Sequence, residues 1–234
     1  MFYTLFFMLG CIAGVGLFAV VRWYKTLRVK RNAVPQQLSV MPEISAEEKR
    51  WMAYHEAGHA VVAFFLPEIL PIERVSIVPL PGEYGFGSVR FARDTRLNQT
   101  KTALLHEIAV SLAGRLAEEI CLNIVSSSCI HDLQKANSIA RIMVLSLGMG
   151  KQCRFLQLQY NNQKFECSSN ILAASEQDIQ EIFREAEDIA RAVITSHKLQ
   201  IEQLALALLE GKAFTGTELT QFLIQEVPLA GEIS

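Results

Sequence analysis

His55-Glu56-Ala57-Gly58-His59 places two histidines four positions apart, with a glutamate directly after the first. On an α-helix four residues advance the chain by about 400°, so both imidazoles project from one face, one turn apart. This spacing is typical of helices that bind zinc through the two histidines and use the glutamate as a general base. We therefore predict His55 and His59 as metal ligands and Glu56 as the catalytic base.

The residues around this motif predict that it lies in the middle of one helix. Ser45-Ala46-Glu47-Glu48 has the form of a capping box, which starts a helix. From there to Leu66 the chain contains no proline and a single glycine, Gly58, and Pro67 then ends the helical run. The motif is thus predicted at the centre of a helix of about six turns.

The composition indicates a globular protein without a nucleic-acid surface. With 234 residues, 50% hydrophobic and 20% charged, the chain can build one good-sized domain or two small ones. Its net charge of −2 and the lack of interleaved aromatic and basic residues beyond the N-terminus argue against nucleic acid as a partner. Five cysteines without a Cys-x-x-Cys pair argue against a disulfide framework and favour a reducing compartment.

The first residues predict a membrane anchor. Residues 2–21 are uncharged and mostly apolar, and their number matches a helix that spans the hydrocarbon core. No basic residue precedes this stretch, whereas Arg22 and Lys25 follow it, so the positive-inside rule puts the C-terminal body on the cytoplasmic, or organelle matrix or stromal, side. We expect residues 1–24 to form a transmembrane helix that contacts lipid, and residues 25–44 to form a basic juxtamembrane segment and linker.

Residues 45–226 are predicted to form a mainly α-helical domain with a small β-sheet, an α+β fold, followed by a tail at 227–234. Period-two alternation predicts strands at 73–78 and 85–91, and the free edge of their sheet is a candidate site for a substrate that adds as a strand. Helical periodicity predicts five more helices, at about 98–122, 131–147, 175–196, 199–210 and 217–226. No Gly-x-x-x-x-Gly-Lys-Ser/Thr phosphate loop occurs in the 234 residues.

A third metal ligand must come from outside the pentapeptide, because a catalytic zinc usually takes three protein ligands and leaves a fourth position for water. The candidates in the sequence are Glu118, Glu119, Cys129, His131 and Asp132. The residue types and their positions do not decide among these candidates. A metal-bound thiolate from Cys129 suits a closed structural site better than a hydrolytic one. The remaining histidines, His106 and His197, are predicted to be surface or packing residues.

Several further segments, in order along the chain, accompany the metal helix. They are Tyr54–Ala60, Arg74–Pro79, Leu112–Glu119, Asp132–Leu133 with Ala136, Ala140, Arg141, Met143, Val144, Gly148 and Met149, then Leu204–Glu210 and Thr215–Leu219. Together they resemble the peptidase domain of the FtsH-type membrane zinc metalloproteases, which are ATP-dependent in their usual form. Ordered matches from about Ser45 to Phe222 are far more specific than the pentapeptide alone.

The resemblance implies a zincin-like metalloprotease domain that binds Zn²⁺ through His55, His59 and Asp132. It also implies that Glu56 is the general base and that Glu118 is a nearby acid that orients a ligand. The implied activity is hydrolysis of peptide bonds in unfolded or membrane polypeptides. Members of the family form hexameric rings, so a homo-oligomer, or association with an AAA+ protease, is expected by analogy.

The chain also departs from the family pattern. The nucleotide-binding module that precedes the family's peptidase domain has no counterpart in these residues, so we expect no ATPase activity of its own. The loop at 126–131 replaces a stretch that is richer in threonine, glycine and asparagine, which keeps His131 as the second choice for the third ligand. The alternative hypothesis is a non-proteolytic or regulatory partner of full-length ATP-dependent proteases. A zinc-stabilised structural module is less favoured, because structural sites have four protein ligands.

Overall fold

Six helices and two small β-sheets make up the described part of the protein. A computed structural model describes residues 44–78, 87–160, 163–164 and 166–225. The predicted membrane span, nearly all of the predicted linker, the start of the second predicted strand and the tail at 227–234 lie outside these residues. Within the described residues, no helix combines the length and the apolar sequence that crossing a bilayer requires.

The helix that carries the two histidines, α1, spans Ala46–Phe65. It begins with the predicted capping box, in which the Glu48 N–H donates to Ser45 Oγ at 3.1 Å and the Ser45 N–H donates to the Glu48 carboxylate at 2.9 Å. It ends where Leu66 becomes extended, because the following Pro67 disfavours helical geometry in the residue before it.

The other five helices fall close to their predicted positions. They are α2 (Lys101–Ala117), α3 (Ile130–Arg141), α4 (Ser169–Ser196), α5 (Lys198–Leu209) and α6 (Gly216–Gln225). α2 and α3 each continue into a π-helical turn, Glu118–Leu122 and Ile142–Ser146, so their helical spacing in the sequence extends past the α-helical ends. α4 begins before the predicted Ser175, because Ser168 Oγ caps the helix by accepting the N–H of Ile171 at 3.4 Å.

α1 lies in the middle of the helical body and packs against α2 and α5, while α2 also packs against α4. The close approach of α1 and α2 depends on Gly58, since a Cβ there would lie 2.5 Å from Ala117 Cβ and 2.7 Å from the Ala113 carbonyl oxygen. The largest fully buried apolar side chains of the core are Ile108, Met143, Ile194, Ile201, Leu204, Leu208, Leu219, Leu223, Val61, Val62 and Val75. Burial from several sides therefore fixes the helix that carries the metal-binding pattern.

A three-stranded antiparallel sheet packs beside α1. Its strands are β1 (Ile72–Ser76), β2 (Ser88–Phe91) and β5 (Phe214–Thr215). β1 is central, with Val75 opposite Val89 of β2 and opposite Phe214 of β5. The outer edge of β2 therefore has no strand partner among the described residues.

The strands differ from the predicted ones in extent and number. β1 ends at Ser76, because the Ser76 hydroxyl accepts the N–H of Val78 at 3.0 Å and turns the chain out of the sheet. β5 is absent from the predicted elements, as is a second sheet formed by β3 (Gln159–Tyr160) and β4 (Gln163–Lys164). Strands of two residues are too short to give a periodic signal in the sequence.

One buried carboxylate fastens the segment after α3 to α4. Asp178 is 3% exposed, and its oxygens accept the backbone N–H groups of Lys151 at 3.0 Å, Gln152 at 3.0 Å and Cys153 at 2.8 Å. These bonds satisfy the charge of Asp178 inside the fold. The chain beyond α3 is thus held by a polar contact in addition to apolar packing.

Candidate metal centre

Three side chains from two helices bring their ligand atoms together. His55 Nε2 lies 3.1 Å from His59 Nε2 and 3.1 Å from Asp132 Oδ2, and His59 Nε2 lies 3.4 Å from the same oxygen. A tetrahedral zinc with bonds of about 2.0–2.1 Å needs ligand atoms about 3.3 Å apart. The spacing and chemistry of these atoms therefore fit such an ion, with the fourth position left open.

The orientation of His55 is set by a buried glutamate at the end of α2. His55 Nδ1 lies 2.7 Å from Oε1 of Glu118, whose side chain is 0% exposed. Burial would raise the pKa of Glu118, but hydrogen bonds from His55, Ser128 and Ser126 lower it below its usual value. An ionised carboxylate only accepts hydrogen bonds, so Nδ1 donates its proton to Glu118 and Nε2 is the nitrogen left to face a metal.

His59 is oriented by the backbone instead of a side chain. Its Nδ1 lies 2.7 Å from the carbonyl oxygen of Val110 on α2. A carbonyl oxygen can only accept, so this nitrogen also donates its proton, and Nε2 is the nitrogen left to face a metal. Both imidazoles thus present the same ring nitrogen to the point where Asp132 Oδ2 meets them.

Glu56 borders the same cleft, next to β2. Its carboxylate accepts a hydrogen bond from the backbone of Val89, and a Cβ on Gly87 would lie 2.6 Å from Oε1. Burial raises the pKa of Glu56, while the nearby His59 and His55 oppose this in part. A carboxylate with a raised pKa is a better proton acceptor than an exposed one.

The charges of the centre favour a cation. Burial would lower the pKa of His55, but hydrogen bonds with Asp132 and Glu118 outweigh it and raise the pKa to about 10. Burial would also raise the pKa of Asp132, yet hydrogen bonds with His55 and His59 lower it. The carboxylates that stabilise a proton on His55 equally stabilise a metal ion in its place.

The other candidate ligands lie outside this group. Among the described residues, His55, His59 and Asp132 are the one set whose ligand atoms cluster closely enough for a metal. His131 is exposed and lines the same cleft, buried Cys129 has its Sγ 3.7 Å from the Ser126 carbonyl oxygen, and Glu119 pairs with Arg191 at 2.9 Å. The structure therefore places the predicted ligand Asp132 next to the two histidines. His131 and Cys129 lie outside this cluster.

His106 and His197 pack elsewhere, as predicted. His106 Nδ1 lies 2.8 Å from the carbonyl oxygen of Pro67, and the ring of His197 stacks on Phe65 with centroids 3.6 Å apart. Both rings thus contribute to packing near the C-terminal end of α1 and lie outside the metal cluster.

Comparison with known proteins agrees with this arrangement. Residues 42–222 match the model of peptidase family M41. The chain belongs to this family. The matched range includes His55, Glu56, His59, Glu118 and Asp132. These five residues are called the M41 centre below.

Curated proteins that are similar to this M41 chain are named ATP-dependent zinc metalloprotease FtsH, some with a number after the name. The protein from Syntrophobacter fumaroxidans is 35% identical over 196 residues, which cover 79% of this chain and 30% of the relative. The one from Bacillus subtilis is 35% identical over 179 residues (71% and 28%), and the one from Thermotoga maritima is 30% identical over 194 residues (78% and 32%). The chain thus spans about 30% of the length of these relatives.

The M41 centre opens into a cleft of about 540 Å³ between α1, β2 and α3. Glu56 and the two histidines line one wall, Gly87 to Val89 the second, and Asp132 and Lys135 the third. A slightly larger cavity of about 600 Å³ lies at the C-terminal end of α1 but is lined by no histidine, cysteine or acidic side chain. The side chains that line the smaller cleft, and not the volume of either cavity, therefore identify the candidate active site.

Two features of the M41 centre are missed by sequence reasoning. Gly114 on α2 lies against both imidazoles, since a Cβ there would lie 2.6 Å from Nε2 of His55 and 2.6 Å from Nε2 of His59. Ser128, in the loop before α3, has its Oγ 2.6 Å from Glu118 Oε1. A glycine inside a helix and a hydroxyl just before a ligand helix are weak signals, because each acquires its role only through residues distant in the sequence.

Proposed function

We propose that this chain is a membrane-anchored zinc metalloendopeptidase that hydrolyses peptide bonds of unfolded or membrane polypeptides. The observation that carries this proposal is the meeting of His55 Nε2, His59 Nε2 and Asp132 Oδ2 beside Glu56. Membership of peptidase family M41 and the zinc metalloprotease names of the relatives support it.

In this proposal His55, His59 and Asp132 hold the zinc ion, and Glu118 fixes the ring of His55. When bound, zinc lowers the pKa of a coordinated water towards neutrality and polarises the substrate carbonyl. The hydrogen bonds of Nδ1 to Glu118 and to the Val110 carbonyl keep both imidazoles in the tautomer that binds metal.

Glu56 is proposed to move the proton. Its carboxylate takes a proton from the attacking water and then delivers it to the nitrogen of the departing amine. The N–H of Val89 holds the carboxylate in place, and Gly87 leaves room for it against β2. The raised pKa of Glu56 suits both halves of this transfer, because the group must bind the proton and release it within one cycle.

The substrate is proposed to lie along the outer edge of β2. This edge borders the cleft and lacks a strand partner among the described residues, so an extended polypeptide is able to add to it by backbone hydrogen bonds. Recognition through backbone groups accepts many sequences but requires an unfolded segment. This agrees with an endopeptidase that acts on loosely folded chains.

Cleavage of casein, an unfolded protein, by the full chain in detergent tests this function. Zinc-loaded protein should cleave casein, a chelator should stop cleavage, and Glu56→Gln should reduce the rate about a hundredfold or more. Glu47→Gln is the matched control, since Glu47 is an exposed residue in the first turn of the same helix. Absence of cleavage by the zinc-loaded wild type, or equal rates for Glu56→Gln and Glu47→Gln, contradicts the proposal.

The membrane anchor is proposed from residues 2–21, with the peptidase on the cytoplasmic, matrix or stromal side. Extraction of cell membranes with alkaline carbonate tests the anchor. The full chain should stay in the membrane pellet, and a variant lacking residues 2–21 should appear in the supernatant. Release of the full chain would contradict the anchor and leave the proposed chemistry unaffected.

A second candidate function is a partner of ATP-dependent proteases. The relatives are named ATP-dependent, whereas the 234 residues of this chain contain no phosphate loop. Purification from its native membrane distinguishes the two cases. Co-purification of an ATPase-bearing protease favours the partner role, and an assembly of this chain alone, such as a homo-hexamer, favours a self-contained peptidase.

A further inference from the structure

The loop before α3 closes onto the pair formed by His55 and Glu118. We propose that Ser128 is a positioning residue of the metal centre, whose hydroxyl fixes the Glu118 carboxylate and thereby His55. This inference rests on the proposed function only in taking His55 as a metal ligand. Neither the predicted ligand set nor the family match assigns a role to Ser128.

The hydrogen-bond donors and acceptors around Ser128 are determined by its neighbours. Ser128 Oγ lies 2.6 Å from Glu118 Oε1, 3.1 Å from His55 Nδ1 and 2.7 Å from Ser126 Oγ. His55 Nδ1–H already points at Glu118 Oε1 at 2.7 Å, so the Ser128 hydroxyl donates to the same carboxylate. Its lone pair then accepts the hydroxyl proton of Ser126. The distance of 2.6 Å is typical of an O–H group that donates to an ionised oxygen.

This hydroxyl completes the hydrogen bonding of a fully buried charge. Glu118 receives His55 Nδ1–H and the Ser128 hydroxyl at Oε1, and the Ser126 N–H at Oε2, at 3.0 Å. The last torsion of a glutamate is broad, so its carboxylate plane is set mainly by such contacts. Without the Ser128 hydroxyl, Glu118 Oε1 accepts only from His55 among these three donors. The carboxylate plane, which sets the orientation of the His55 imidazole, is then less firmly held.

Ser128 also links two ligands that come from different helices. It precedes Asp132 by four residues, and Cys129 at the start of α3 provides no side-chain cap for the helix. The contacts of Ser126 and Ser128 with Glu118 therefore anchor the loop that leads to Asp132. The Ser128 hydroxyl thus affects the position of His55 through Glu118, and the position of Asp132 through the loop.

Zinc affinity of the full chain, measured by competition with a chromophoric chelator, tests this role without any substrate. Ser128→Ala should raise the zinc dissociation constant about fivefold or more, a smaller effect than loss of the ligand's own partner Glu118, because Ser128 acts through that partner. Ser127→Ala is the matched control, because Ser127 is exposed and lies in the same loop. Ser128→Thr keeps the hydroxyl and should bind zinc within about twofold of the wild type.

Two further readouts separate positioning from a loss of folding. Ser128 is exposed, so Ser128→Ala leaves no internal cavity, and the metal-free variant should still unfold cooperatively, at a temperature lower than that of Ser127→Ala by only the few degrees that one lost hydrogen bond costs. The visible absorption of bound Co²⁺ should change in Ser128→Ala and stay unchanged in Ser127→Ala. Equal zinc affinities for Ser128→Ala and Ser127→Ala, or a Ser128→Thr variant as weak as Ser128→Ala, would overturn the inference.

The failure of this inference is distinguishable from that of the proposed function. A wild type that binds zinc but leaves casein intact contradicts the peptidase and has no effect on the comparison of the serine variants. A wild type that cleaves casein, combined with equal affinities of the alanine variants, contradicts the role of Ser128 alone.

Discussion

Gly114 lies so close to His55 that a Cβ atom on the glycine would sit 2.6 Å from Nε2, the nitrogen that faces the metal position. The same atom would also lie 2.6 Å from Nε2 of His59. α2 is able to pass this close to the metal-facing nitrogens of both imidazoles because residue 114 has no side chain. The metal centre therefore depends on an absence of atoms at one helical position as well as on its ligands.

Gly114→Ala should weaken zinc binding about tenfold or more, since the new methyl group displaces both imidazoles. The substitution also raises helix propensity by about 1 kcal/mol, which offsets part of the strain in the fold. Chelator competition measures the affinity, and thermal unfolding of the metal-free protein checks that the variant folds. Wild-type affinity in a folded Gly114→Ala variant would show that the helices separate without disturbing the ligands.

Zinc binding near neutral pH should release a proton from His55. The pKa of this imidazole is raised to about 10, so in the metal-free protein it is protonated at pH 7.5, and a metal at Nε2 has to replace that proton. Calorimetric titration in buffers of different ionisation enthalpy measures the number of protons released. A binding enthalpy that does not depend on the buffer would contradict the prediction.

The same pKa sets a stability profile for the metal-free protein. Because the folded value lies above the ordinary value of 6.5, the contribution of His55 is fully present below pH 6.5 and is lost as the pH rises towards 10. Urea unfolding of chelator-treated protein at pH 6 and pH 9 should show lower stability at the higher pH. His55→Gln should reduce this difference, whereas His106→Gln, outside the centre, should not.

Asp178→Asn should lower the free energy of unfolding by about 3 kcal/mol, because a buried carboxylate that accepts three backbone N–H groups loses acceptor capacity and charge. The bonds to Lys151, Gln152 and Cys153 are the ones at risk. Asp188→Asn is the control, since Asp188 is an exposed acid on the same helix. Equal denaturant midpoints for the two variants would contradict the role of Asp178 as an anchor.

Local signals in the sequence account for the main helix and for half of the site. The ends of α1 depend on the Ser45 capping box and on Pro67, and both are readable from neighbouring residues. The pairing of His55 with His59 follows from helical geometry alone. These features require no knowledge of distant parts of the chain, which is why they are predicted correctly.

Features that depend on distant partners are not predictable in this way. β5 becomes a strand because Phe214 and Thr215 pair with β1, far away in the sequence. Asp132 meets His55 only because α2 and the following loop return the chain to α1, and the residues by themselves leave His131 and Cys129 as alternatives. The resemblance to a known family, and not periodicity or spacing, selects Asp132 in advance.

The two imidazoles differ in what holds them, with consequences for how such a centre changes over evolutionary time. His55 is held by the Glu118 side chain, so a single codon change is able to alter its support. His59 is held by the carbonyl oxygen of Val110, a group that every amino acid supplies. Saturation mutagenesis will therefore detect the hydrogen-bond partner of His55 and overlook that of His59, because no substitution at Val110 removes its backbone carbonyl.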